Sequence, residues 1–207
     1  MPSIEWNRKT FAKEVQSFAD KASNYGDRWG DPEKSTKLIA IRKRFIEPYL
    51  DVDKVALEVG SGGGRFTQYL LPFKKIYCVD INAEMFDYLR RRFPQVKNLE
   101  FVHSSGSDIP GVPNGSIDFV WSFGTFVHIE VPELRGYLEA FKPLLRPNAR
   151  LTIHYTDKTK PEAMRQAVLA QMTRSRMHDL LATHGYRILE EDVEQMIHSN
   201  VVAFVKI

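Results

Sequence analysis

Apolar residues recur along this chain in two rhythms. Short unbroken runs read as buried strands at Val55–Val59, Lys75–Asp80, 99–102, 117–123 and 150–155. Between them the spacing is helical. Phe66, Tyr69 and Leu70 share one face, as do Met85, Leu89 and Phe93, then Leu134, Leu138, Phe141 and Leu145, and finally Met177, Leu180 and Leu181 before Gly185. A polar stretch over 157–173 is expected to be helical from Pro161, and strands are expected at 186–193 and 199–206. Ahead of all this, Phe11, Val15 and Phe18 predict a helix over about 7–22. Leu38, Ile41, Phe45 and Ile46 predict another over about 33–50. Strands alternating with helices from 55 to 193 imply an α/β fold, a Rossmann-like, doubly wound and mostly parallel sheet. Residues 1–50 are expected to form a helical cap and 51–207 the main domain.

Composition narrows the class. The chain has 207 residues and 43% hydrophobic side chains, which suits one domain with a sizeable core. A net charge of +3 is too mild to imply nucleic acid, and the run Arg90-Arg91-Arg92 reads as a solvated helix face. The lone cysteine, Cys78, sits in an apolar run and reads as a buried thiol. The start lacks the apolar core of a signal peptide, and no apolar run approaches the ~20 residues of a membrane span. A soluble, cytoplasmic protein is the expectation. The six histidines show no metal-ligand spacing and the carboxylates no cluster, so no metal is expected.

The candidate chemistry centres on the turn after the first strand. Glu58-Val59-Gly60-Ser61-Gly62-Gly63-Gly64 places four glycines in five positions between a strand and a helix. Such a turn lets backbone approach a ligand closely and presents free N–H groups. A dinucleotide fingerprint would want glycine at position 65, which is Arg65. Twenty positions after Gly60, Asp80 closes the second strand, at the distance where an acid accepts hydrogen bonds from both hydroxyls of a ribose. The bare alternative is a helix N-cap, a task Asn82 is placed to do.

The spacing of Gly60, Gly62 and Gly64 after Glu58 resembles motif I of the class I S-adenosylmethionine-dependent methyltransferases. Residues 116–129 resemble that family's motif IV, Arg146-Pro147-Asn148-Ala149 its turn before the fifth strand, and the last two strands its closing antiparallel hairpin. The resemblance covers about 50–207. It implies S-adenosyl-L-methionine as cofactor, held by Glu58, Gly60, Ser61, Gly62, Gly64, Asp80, Ile81 and Ser122. Ser105 and Gly106 would stand near the adenine, with Ser105 where many relatives carry an aspartate. Residues 123–130 look like bacterial methyltransferases of glycan and small-metabolite biosynthesis. The expected reaction is therefore O-methylation of a sugar hydroxyl or other small-molecule acceptor, with small-molecule N-methylation as the alternative. RNA methylation stands third, with no basic stripe or RNA-binding module to favour it. A non-catalytic cofactor-binding protein would be favoured by loss of the glycines or Asp80, and both are present.

Histidine near neutral pKa suits removal of a hydroxyl proton. His128, after the fourth strand, and His154, at the end of the fifth, are the candidate bases, with Glu130 or Tyr155 to orient them. A structural role for His128 in its loop is the plainer reading. Tyr25, Trp29 and Tyr155 are the candidate acceptor contacts. The loop holding Tyr25 and Trp29 either closes over the site or merely docks the leader.

Overall fold

The apolar runs pair into one sheet. The structure, a computed structural model, describes residues 3–18, 26 and 29–207. The strands are β1 (Val55–Val59), β2 (Lys75–Asp80), β3 (Leu99–His103), β4 (Ile117–Ser122), β5 (Leu145–Thr156), β6 (Tyr186–Asp192) and β7 (Ser199–Lys206). Their order is β3-β2-β1-β4-β5-β7-β6, parallel except for β7, which runs antiparallel to both β5 and β6. The order reverses direction at β1 and β4, and the crevice beyond such a switch point is where ligands bind.

Both sheet faces are covered, so the strands read as continuous apolar runs. On one face Leu57, Val120, Leu151 and Phe204 pack with α5 (Val131–Leu144) and α7 (Arg174–Thr183). On the other, Ala56, Cys78, Phe119 and Trp121 pack with α2 (Thr36–Phe45), α3 (Thr67–Leu70) and α4 (Glu84–Arg92). Cys78 is a buried free thiol, as its setting implied.

Several boundaries differ from the pattern. The first helix, α1, spans Ile4–Phe18, starting earlier because the Ser3 hydroxyl accepts the N–H of Trp6 at 3.1 Å. Its predicted end near 22 lies outside the described residues. The second helix stops at Phe45, and a 3-10 turn, Glu47–Tyr49, carries Pro48. The helix after the cradle is a single turn ending before Pro72. The fifth strand starts five residues early: Arg146–Ala149 enters it as a register shift, with Asn148 at φ 63°. Only α6 (Pro161–Met164) is helical within 157–173. Two lysines organise the rest of that stretch. Lys158 Nζ donates to the carbonyls of Ala163 and Gln166, and Lys160 Nζ to those of Val193, Met196 and Ser199, all within 2.6–2.9 Å. These contacts tie the stretch to the turn before β7. Among the described residues no helix is long and apolar enough to cross a membrane.

Candidate active site

A cavity of about 410 Å³ opens beyond the C-terminal ends of β1, β2, β4 and β5. Its floor is the glycine turn. Gly60 takes φ 74°, and a Cβ there would stand 1.8 Å from the Thr125 hydroxyl, so only glycine lets the loop after β4 close down. Gly64 serves packing instead. A Cβ on it would meet the Phe93 ring at 2.7 Å, and Gly64 does not line the cavity.

Asp80 ends β2 against this turn. Its Oδ2 accepts the N–H of Gly62 at 3.2 Å and its Oδ1 the N–H of Asn82 at 3.0 Å. Each oxygen keeps a second lone pair, which suits the two hydroxyls of one ribose. Burial pushes the Asp80 carboxyl up to about 6, against the pull of those backbone N–H groups. Glu58 lies deeper, 3% exposed, and accepts the Thr67 hydroxyl at 2.5 Å. Burial, with Asp80 nearby, raises it to about 8. Asn82 makes no side-chain cap for α4. It is buried and lines the cavity.

Of the residues assigned to the cofactor from sequence, Glu58, Gly60, Ser61, Gly62, Asp80 and Ile81 line the cavity together. Ser122 does not: it is fully buried, and its hydroxyl donates to the Val59 carbonyl at 2.7 Å, joining β4 to the end of β1. Ser105 is exposed and donates to Asp108. Gly106 borders only a small recess next to the cavity.

The two histidines differ in kind. His154, 2% exposed, stacks on Phe123 at 4.1 Å between ring centroids. Its Nδ1 accepts the N–H of Gly124 at 3.2 Å, so Nε2 carries the proton and donates to the Ser199 hydroxyl at 2.5 Å. Burial, and then His198 and Arg65 nearby, hold it well below the usual histidine range. Both nitrogens are engaged, and no lone pair of His154 is left for a substrate proton. His128 closes a 3-10 turn, Phe126–His128. Its Nδ1 lies 2.9 Å from the Val168 carbonyl, which can only accept, so Nδ1 carries the proton. Nε2 keeps a lone pair with no hydrogen-bond partner among the described residues, and the ring lines the cavity. Burial lowers its pKa, so it is neutral at pH 7. Val168 does the orienting expected of Glu130, whose carboxylate accepts the N–H of Gln171.

Tyr155 is not in the site. Alternation along β5 sends it to the opposite face from His154, fully buried, donating to Glu191 and accepting from Asn200. Trp29 lines the cavity at 46% exposure, and its carbonyl accepts from Arg65 at 3.1 Å. Tyr25 lies outside the described residues.

Sequence reasoning missed wall residues on three elements. Asn7 and Phe11 come from α1, Tyr137 from α5, and Gln166, Met196 and His198 from the segments joined by Lys160. Tyr137 stands at helical spacing with Leu134, Phe141 and Leu144, and its buried hydroxyl was legible only as core. No group of three or more His, Cys, Asp or Glu side chains among the described residues is placed to hold a metal ion.

Comparison with known proteins agrees with this geometry. The family described as "Methyltransferase domain" matches residues 57–153. An uncharacterised methyltransferase-like protein of Schizosaccharomyces pombe is 30% identical over 116 residues, 54% of this chain and 43% of that protein. The chain thus spans less than half the length of that curated relative. A SAM-dependent methyltransferase from Aquifex aeolicus superposes with a TM-score of 0.68 at 20% identity, over 94% of this chain and 98% of its own. The N-methyltransferase NodS from Bradyrhizobium japonicum, solved with S-adenosyl-L-homocysteine, gives a TM-score of 0.72 at 13% identity, over 95% and 96%. The match to a methyltransferase domain thus lies across the glycine turn, Asp80 and the loop of His128, and the likeness to the solved methyltransferases is one of fold.

Proposed function

We propose that this chain transfers a methyl group to a hydroxyl of a small molecule, a sugar or similar acceptor, with His128 as general base. The observation that carries this is the state of His128. The Val168 carbonyl holds its proton on Nδ1, and Nε2 offers a lone pair in the cavity wall. When bound, S-adenosylmethionine supplies a methyl already activated on a sulfonium. The chain then has to hold the acceptor in line and take up its proton. Asp80 and the glycine turn hold the nucleoside end. His154 keeps Phe123 and the loop after β4 in place. Trp29, with Phe11 on α1, covers the acceptor side.

A small-molecule N-methyltransferase is the second reading, favoured by the fold likeness to NodS, an N-methyltransferase by its printed title. Turnover with methyl-labelled S-adenosylmethionine against nucleotide sugars, glycans, phenols and amines separates the two. Label in a hydroxyl acceptor supports the first reading, and label only in amines overturns it.

A further inference from the structure

The first helix meets His128 along one stripe. Asn7, Phe11 and Glu14 fall at i, i+4 and i+7 on α1, which places their side chains on one face. Asn7 is buried, and its Nδ2 donates to the His128 carbonyl at 2.9 Å. The Phe11 ring meets the His128 imidazole edge-on, 5.4 Å between centroids. The Glu14 charge pulls the His128 pKa upward, against the larger effect of burial. Three side chains of one helix face converge on a histidine that lies 121 residues after the first of them.

Both partners in this contact are anchored elsewhere. On α1, Arg8 Nη2 donates to the Ser105 carbonyl at 3.2 Å, and Phe11 packs with Met85 and Tyr88 of α4. In the turn of His128, the Val127 carbonyl accepts the Thr156 hydroxyl of β5 and the N–H of Ala170, each at 2.8 Å. Two other titratable groups interact with His128: His154 of β5 and His198, just before β7. Burial lowers both, so they are neutral at pH 7, and Glu14 supplies the negative charge.

We propose that α1 completes the base: Asn7 and Phe11 position His128, and Glu14 supplies the counter-charge for the imidazolium formed during transfer. This rests on His128 being the base. In that step the acceptor's O–H proton passes to Nε2 as its oxygen takes the methyl and the carbon–sulfur bond breaks. The positive charge therefore moves from sulfur to the imidazole, where a nearby carboxylate stabilises it. The proton goes to water after the products leave. Glu14 does not line the cavity, so it acts through His128 rather than on either substrate. A helix that merely packs on the turn is the competing reading, and it gives the Glu14 charge no effect on turnover.

NMR titration of the His128 ring, assigned by its loss in His128→Ala, tests the contact without acceptor or turnover. Its pKa should fall in Glu14→Gln, which keeps the side-chain volume, and rise in Phe11→Ala, which lets water reach the ring. At saturating substrates kcat should fall about two- to fivefold in Glu14→Gln, the scale of a partly exposed charge pair, with S-adenosyl-L-homocysteine affinity at the parent value. Asn7→Ala should lower kcat about tenfold through misplacement of the ring. Melting curves confirm folded protein, and Lys13→Ala, on the exposed face of α1, should match the parent in every readout. An unchanged His128 titration in both Glu14→Gln and Phe11→Ala, or the parent's kcat in both Glu14→Gln and Asn7→Ala, would overturn the proposal. If His128→Ala itself keeps the parent's kcat, the assignment of the base fails, and this proposal with it.

Discussion

On the proposed function, Asp80 and His128, which both line the cavity, have the main chemical roles. Asp80 acts through its charge. Removing it as Asp80→Ala should weaken S-adenosylmethionine binding by roughly ten- to a hundredfold, since hydrogen bonds to a charged group are worth about 1.5–3 kcal/mol. Its carboxyl sits near 6, so parent affinity should fall as pH drops through that value, and Asp80→Asn should lose that dependence. Titration calorimetry at pH 5 and 7.5 reads both effects. Asp80 and the glycines were legible because spacing along the chain encodes them. The division of labour between His128 and His154 was not. Both stand near strand ends, and what separates them is the partner of each nitrogen: a carbonyl at residue 168 for one, an N–H at 124 and a hydroxyl at 199 for the other. Those partners are remote in sequence, and no local pattern announces them.

The strands were legible as apolar runs because a sheet covered on both faces needs them. The cavity walls were not, because they come from segments with little periodicity. The stretch over 157–173 holds its shape through lysine-to-carbonyl bonds rather than helix packing. Lys160→Met would orphan three carbonyls and should lower stability by about 2 kcal/mol, after allowance for partial exposure. It should also loosen the wall holding Met196 and His198, raising the acceptor KM more than it lowers kcat. Urea unfolding and steady-state kinetics measure the two effects. At the entrance, Trp29→Ala should reduce kcat/KM for the acceptor and leave cofactor affinity unchanged. Normal kinetics in that variant would make Trp29 a docking residue only.

Across the whole molecule, the fold places ionisable groups at the sheet's switch point, and stability should report it. Glu58 binds its proton more tightly in the folded chain, at about 8, than in the unfolded chain, near its ordinary 4.5. Its contribution is therefore fully present below about 4.5 and is lost as pH rises through 8. Between pH 5 and 8 the ligand-free protein should lose stability, and Glu58→Gln should flatten that slope in denaturant titrations. The proposed reaction turns on a different proton. Burial holds His128 below its usual value, so its lone pair is available at neutral pH and lost only under acid. The most direct measurement is kcat for label transfer from S-adenosylmethionine to a hydroxyl acceptor, in the parent and in His128→Ala, across pH 5 to 8. The parent kcat should fall only below about pH 6.5, and the variant should be slower by about a hundredfold or more with its S-adenosyl-L-homocysteine affinity intact. A variant with the parent's kcat and pH profile would contradict His128 as the base.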